Sequence, residues 1–78
     1  MLEKLVYGTI NLINNHNWND SKTKEQARAM FTTICILYDI EVDTMRCDMF
    51  LMKIYNESSL ENLISYNVFT DYMIELIV

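Results

Sequence analysis

The chain has 78 residues, of which 51% are hydrophobic, one is glycine and none is proline. Its length allows one domain, and its single glycine and lack of proline argue against a turn-rich β-fold and against disorder. The net charge is −5, and acidic residues prevail after Met30, which argues against direct binding to nucleic acid or an anionic membrane. We therefore expect an all-α fold, with one domain over residues 1–78 built as a compact bundle of four to five short helices.

The first helix is predicted from about Leu2 to Asn15. Gly8 lowers its stability and would allow another helix to cross closely. The polar connection that follows contains Trp18, which either folds back over the edge of the core or serves as an exposed anchor for a partner. Apolar residues at helical spacing indicate one buried face, and they are Leu2, Leu5, Val6, Ile10 and Ile13.

The second helix is predicted over about residues 21–40. Its only charge between Ala27 and Tyr38 is Arg28. A helix that is apolar nearly all round is normally buried, so we expect it in the centre of the fold or between subunits. Cys35 in this helix and Cys47 in the next sit in apolar patterns, and both are expected as buried free thiols.

The third helix is predicted from about Asp43, its N-cap, to Asn56. One of its faces is a methionine stripe, which belongs either to the core or to an interface that repacks against a partner. The stripe consists of Met45, Met49 and Met52, and a second apolar face contains Phe50, Leu51, Ile54 and Tyr55.

The capping-box pattern Ser58-x-x-Glu61 predicts a short fourth helix that ends near Asn67. A fifth helix then runs to the last residues, or the two helices join with a kink at Asn67. The apolar end of the chain is expected to pack against the core or against a second copy. The predicted apolar side of this helix is formed by Val68, Phe69, Tyr72, Met73, Leu76 and Ile77.

Acidic residues at alternate positions from Asp39 to Asp43 resemble the start of a calcium loop. Thr44 and Phe50 stand where that loop needs glycine and glutamate, so we expect a solvated corner between helices. The second and third helices could also form a helix-turn-helix, but the recognition helix would be too acidic to enter a groove of DNA.

The only histidine is His16, and the only cysteines are Cys35 and Cys47. Their spacing does not match a zinc site, and a thiol in the most apolar stretch of the chain is a poor nucleophile. We therefore expect no catalytic residue, no metal and no cofactor, and hence no enzyme.

Small acidic chains rich in Asn, Ile, Tyr and Met are common among accessory proteins of phages and mobile elements. This association suggests a non-catalytic protein-binding module, expected as a homodimer, that blocks a host or defence protein by steric occlusion. We expect it in the cytoplasm, of the host cell if a phage encodes it, because the sequence shows neither a signal peptide nor a membrane span. In this interpretation aromatic anchors supply affinity, and the acids at the rim steer a basic partner. The residues predicted to contact the partner are Trp18, Asp43, Met45, Asp48, Met49, Met52 and Tyr55.

Two alternatives stay open from the sequence. The acids around the third helix could imitate nucleic-acid phosphates, which would make the chain an inhibitor of a DNA- or RNA-binding protein. The excess of apolar residues could instead close an obligate homo-oligomer, such as an assembly factor.

Overall fold

The computed structural model describes residues 2–15, 20–59 and 61–77. These residues form four α-helices and no strand, so the predicted all-α class is confirmed. Of the described helices, none is long and apolar enough to cross a membrane. The helices are α1 (Leu2–Asn14), α2 (Ser21–Leu37), α3 (Thr44–Glu57) and α4 (Tyr66–Ile77).

The buried face of α1 follows the predicted stripe. Val6, Ile10 and Ile13 are buried in the core, and the leucines of the first turns are partly buried beside them. A Cβ at Gly8 would meet the terminal methyl group of Met30 from α2. The glycine therefore makes room for a side chain of the neighbouring helix, which agrees with the close crossing expected there.

The two ends of α2 are fixed by local hydrogen bonds. At the start, a carboxylate oxygen of Asp20 accepts from the amide of Lys22 at 3.1 Å. At the end, Asp39 adopts a left-handed conformation with φ 59°. The amide of Ile40 donates to the carbonyl of Cys35 at 2.8 Å, which forms a Schellman motif and turns Ile40 back towards the core.

The single chain does not bury α2 on all sides, and the alternative that its remaining apolar side is buried between subunits stays a prediction. Its core face is buried, but Ile36, Leu37 and Tyr38 are 70%, 52% and 44% exposed. In a fold of four short helices, the other three are too few to cover every side of α2. The central position of α2 is not confirmed either, because α1 packs against all three other helices while α2 packs mainly against α1 and α3.

Three phenylalanines from three helices meet in the core. The rings of Phe31 in α2 and Phe50 in α3 are stacked, with centroids 4.5 Å apart. Phe69 from α4 meets both rings edge-on, at 6.0 and 5.6 Å. These contacts tie α4 to the α2–α3 pair, and they explain why α4 stays in place although it packs mainly against α1.

The predicted fourth helix does not form in the described part of residues 58–65. The hydroxyl of Ser58 donates to the carbonyl of Tyr55 at 2.8 Å, so this serine closes α3 and does not open a helix. A turn follows, in which Ser59 and Asn62 exchange backbone hydrogen bonds. The predicted fifth helix is α4, and it starts after Ser65, whose hydroxyl accepts from the amide of Val68. No helix therefore runs through a kink at Asn67.

The extended segment before α4 is held to α1 by one side chain. The amide nitrogen of Asn14 donates to the carbonyl of Ile64 at 3.0 Å, and its oxygen accepts from the amide of Ile64 at 3.0 Å. Both hydrogen bonds are partly buried, and the side chain of Ile64 is buried in the core. Asn14 thus acts as a clamp that fixes where α4 begins.

Candidate functional site

The methionine stripe of α3 lies on the side of the helix opposite to its core residues. Met45 is 69% exposed, Met49 65% and Met52 39%. The core side of the same helix is filled by Cys47, Phe50, Leu51 and Ile54. We call the stripe of Met45, Met49 and Met52 the methionine surface. In the single chain these side chains are therefore not core residues, and their predicted role as an interface stays a prediction.

On the flank towards α2, the methionine surface is bordered by an ion pair. Arg28 donates from Nε to Asp48 at 2.7 Å and from a terminal nitrogen to the second carboxylate oxygen at 3.0 Å. These hydrogen bonds raise the pKa of Arg28. The bidentate geometry holds α2 and α3 in a fixed relation, although a pair this exposed contributes little to stability because solvent screens it.

On the flank towards α4, a second ion pair joins Lys53 to Glu75 at 2.9 Å, and the same ammonium group lies 5.2 Å from the centre of the Tyr72 ring. The hydrogen bond to Glu75 raises the pKa of Lys53. A groove of about 340 Å³ runs between the two helices on this flank. It is lined by Arg46, Met49, Phe50, Lys53, Tyr72, Glu75 and Leu76.

The other predicted contact residues have structural partners or lie elsewhere. Asp43 is the N-cap of α3 and accepts from the amide of Arg46 at 2.7 Å. Asp48 belongs to the ion pair with Arg28. Tyr55 is partly buried against the core, and Trp18 lies outside the described residues. Of the predicted set, the structure therefore brings together the three methionines and Asp48. Asp43 instead caps the start of α3, and Tyr55 packs against the core.

The two thiols lie inside the fold, as predicted. Cys35 and Cys47 are free and buried. Burial raises the pKa of the Cys35 thiol to about 11, and burial also raises the pKa of Cys47. A thiol of this kind is protonated at neutral pH and is a weak nucleophile. Within the described ranges, no three His, Cys, Asp or Glu residues are grouped so that they could hold a metal ion.

Sequence reasoning missed the ion pairs that frame the surface. Arg28 and Asp48 are 20 residues apart, and Lys53 and Glu75 are 22 apart. Neither spacing is a signal within one helix, where partners lie three or four residues apart. The cations could have been noticed, because Arg28 and Lys53 interrupt otherwise apolar stretches.

Comparisons with known proteins give no relative for this chain: no family model, no curated protein and no solved structure matches it.

Proposed function

We propose that this chain is a non-catalytic protein-binding module that covers part of another protein with its methionine surface and blocks it sterically. The observation that carries the proposal is the exposure of Met45 and Met49, at 69% and 65%, on a helix whose opposite side is fully packed. Methionine is enriched in protein interfaces, and its flexible side chain adapts to partners of different shape.

The surroundings of the methionine surface are suited to binding because they are held in place before a partner arrives. Arg28–Asp48 and Lys53–Glu75 connect α3 to a helix on either side. A surface on a fixed helix loses less conformational entropy on binding than one on a loop. The groove towards α4 offers a concave place beside Met49 for an apolar side chain of the partner.

Four of the charges beside the methionine surface compensate each other in these two ion pairs, and the other two, on Arg46 and Glu57, are of opposite sign. Asp48 was predicted to steer a basic partner, but its charge is balanced by Arg28 in the free chain. Binding through this surface should therefore tolerate salt, because apolar contacts dominate and the flanking charges balance. Thiols with raised pKa values in the core agree with a module that does no chemistry.

A displayed random-peptide library can test the proposal without knowledge of the natural partner. Peptides selected on the wild-type chain are then measured against the double variant Met45→Lys, Met49→Lys. Two lysines in the contact should remove binding, because each would place a charge against an apolar peptide. Leu63→Ser is the control, since Leu63 is 55% exposed and lies beside α1, outside the residues that line the methionine side of α3.

We expect selected peptides to lose affinity for the double variant and to keep it for Leu63→Ser, with little change between low and high salt. Selected peptides that bind the double variant as well as the wild type would show that the methionine surface is not the binding site.

Self-association through the same surface is the second candidate. The internal compensation of the flanking charges favours it, because two copies can approach each other there without strong repulsion. Light scattering behind size exclusion, over a wide range of concentrations, tests it directly. A dimer that dissociates in the Met45→Lys, Met49→Lys variant supports this candidate, and a monomer at all concentrations contradicts it.

Imitation of nucleic acid has less support from the geometry. Among the acids around α3, Asp43 is engaged as a helix cap and Asp48 is in an ion pair, so these acids do not form a regular row of free charges along the helix. A nucleic-acid mimic needs such a row on one exposed face.

A further inference from the structure

A second apolar site lies between the end of α2 and α4. It is a cleft of about 160 Å³ lined by Tyr38, Ile40, Thr70, Met73 and Ile74. We call it the tyrosine cleft. A cavity of ~150 Å³ is large enough to take up a molecule such as benzene. The tyrosine cleft therefore has room for one aliphatic side chain.

The walls of the cleft are set by the backbone. The Schellman motif at the end of α2 turns Ile40 towards the core and leaves Tyr38 on the surface, 44% exposed. On the opposite wall, Met73 is buried and forms the floor, while Ile74 is 57% exposed at the rim. An exposed isoleucine next to an open apolar cavity is a favourable contact for another chain.

More tyrosines extend the apolar area beyond the cleft. The rings of Tyr7 and Tyr66 lie 5.0 Å apart. Partial burial raises the pKa of Tyr66, and the neighbouring Tyr38 and Glu3 raise it further. Tyr7 and Tyr66 are thus in ring contact, while Tyr38 and Glu3 are near enough to act on the pKa of Tyr66.

The rim of the tyrosine cleft is acidic. Asp39 and Glu41 stand on either side of Ile40 and are exposed. Asp71 follows Thr70 on α4 and is exposed as well. None of these three carboxylates forms an ion pair with any residue in the described ranges, in contrast to Asp48 beside the methionine surface.

The cations of the chain lie mostly elsewhere. Lys22 and Lys24 are in the first turn of α2, roughly 20 Å along the helix axis from Tyr38. Arg28 and Lys53 are held in their ion pairs, and Arg46 lines the groove beside the methionines. Lys4, next to Glu3 in α1, offsets one acid only. The area around the cleft therefore keeps an excess of negative charge.

We propose that the tyrosine cleft binds a short amphipathic segment of a basic partner protein, with an aliphatic side chain in the cleft and lysine or arginine side chains against the acidic rim. Charge complementarity decides the kind of occupant. A second copy of this chain would bring an identical acidic rim into a symmetric contact, which like charges oppose.

This site is separate from the methionine surface. Tyr72 and Leu76 of α4 line the groove beside the methionines, whereas Thr70 and Ile74 line the cleft. Because successive residues of a helix are rotated by about 100°, these pairs face opposite ways from α4. The chain thus offers a salt-tolerant apolar site on one side and an acidic site on the other.

The experiment uses a fluorescein-labelled amphipathic helical peptide, with leucines on one face and lysines on the other, and the full chain. The control peptide carries glutamates in place of the lysines. We expect fluorescence anisotropy to show binding of the lysine peptide that weakens steeply with salt, and no binding of the glutamate peptide. Ile74→Ser should weaken binding roughly tenfold, because an aliphatic contact is lost.

Two more variants separate this site from the rest of the molecule. Asp71→Lys should weaken binding of the lysine peptide without removing any apolar contact. Met49→Lys should leave that binding unchanged, so the result does not depend on the fate of the methionine surface. Circular dichroism confirms that each variant, changed at an exposed position, is folded.

The proposal is overturned if the lysine peptide does not bind, or if it binds no better than the glutamate peptide. It is also overturned if Ile74→Ser and Asp71→Lys leave the affinity of the lysine peptide unchanged. A change in the molar mass of the chain alone in light scattering, caused by Ile74→Ser, would instead assign the cleft to a contact between copies.

Discussion

The clamp between Asn14 and Ile64 gives the sharpest test of how the fold is held together. Replacement of Asn14 by alanine removes two hydrogen bonds of 3.0 Å each and leaves the amide and the carbonyl of Ile64 without their side-chain partner. At about 1 kcal/mol net for each hydrogen bond, the loss is ~2 kcal/mol. A domain of this length has a stability of roughly 4–12 kcal/mol, so the effect is a large share of the total.

Urea unfolding followed by circular dichroism measures this loss, and the midpoint of thermal unfolding should fall by about 10 °C. Hydrogen exchange adds a local test, because the amide of Ile64 should lose protection in the variant while the core of α1 keeps it. Asn11→Ala is the matched control. Asn11 is exposed on the same helix, so its replacement should change stability by less than about 0.5 kcal/mol.

The variant Asn14→Asp should make the stability contributed by the clamp depend on pH. A carboxylate can still accept from the amide of Ile64, but it repels the Ile64 carbonyl. A protonated carboxyl group can donate to that carbonyl, so folding raises the pKa of the new side chain above its unfolded value. The variant should therefore be relatively more stable below pH ~4 and should lose that advantage as the pH rises through the folded pKa. A loss below 0.5 kcal/mol for Asn14→Ala, with Ile64 still protected, would refute this account of the clamp.

Three other positions give separate tests of the fold. Asp39→Gly should raise the free energy of unfolding by about 1 kcal/mol in urea titrations, because glycine adopts the left-handed φ of 59° without strain. Phe31→Ala should lower it by about 3–5 kcal/mol, since the ring is fully buried and contacts both other phenylalanines. For Cys35, whose pKa is raised to about 11, the neutral thiol favours the folded state, so its contribution is present below the unfolded pKa of ~8.5 and is lost as the pH rises towards 11. Stability should fall less steeply over that range in Cys35→Ala than in the wild type.

Local patterns predicted α1 and α3 well. The stripe of Val6, Ile10 and Ile13 is buried, and Asp43 caps α3 as expected. Both features depend on residues within a few positions of each other, which is the range over which helical periodicity and capping act.

The fourth helix was predicted wrongly because a distant contact outweighs a local one. Ser58 has the spacing of a capping box, but a turn closed by Ser59 and Asn62 follows it, and Ile64 beyond the turn is held by Asn14, 50 residues earlier. A side chain from another helix cannot be recognised from the sequence around Ser58. The hydroxyl group is then used to end α3.

The place of the methionine stripe could not be decided from its spacing. Both faces of α3 are apolar at helical periods, and Phe50 and Ile54 occupy the core. A small fold has room for one of the two faces, and the bulkier, stiffer side chains fill it. The unpaired acids around Ile40 were noticed in the sequence, but only as a solvated corner, because the apolar wall from α4 beside them is not visible there.

The meeting of Phe31, Phe50 and Phe69 has a consequence for how the protein is made. The stacked pair can form on the ribosome once α3 has been synthesised, but the edge of that pair stays open to water until α4 supplies the third ring. No helical hairpin carries a finished core on its own. We therefore expect the nascent chain to expose an aggregation-prone aromatic edge during translation. It should resist aggregation only when α4 covers that edge.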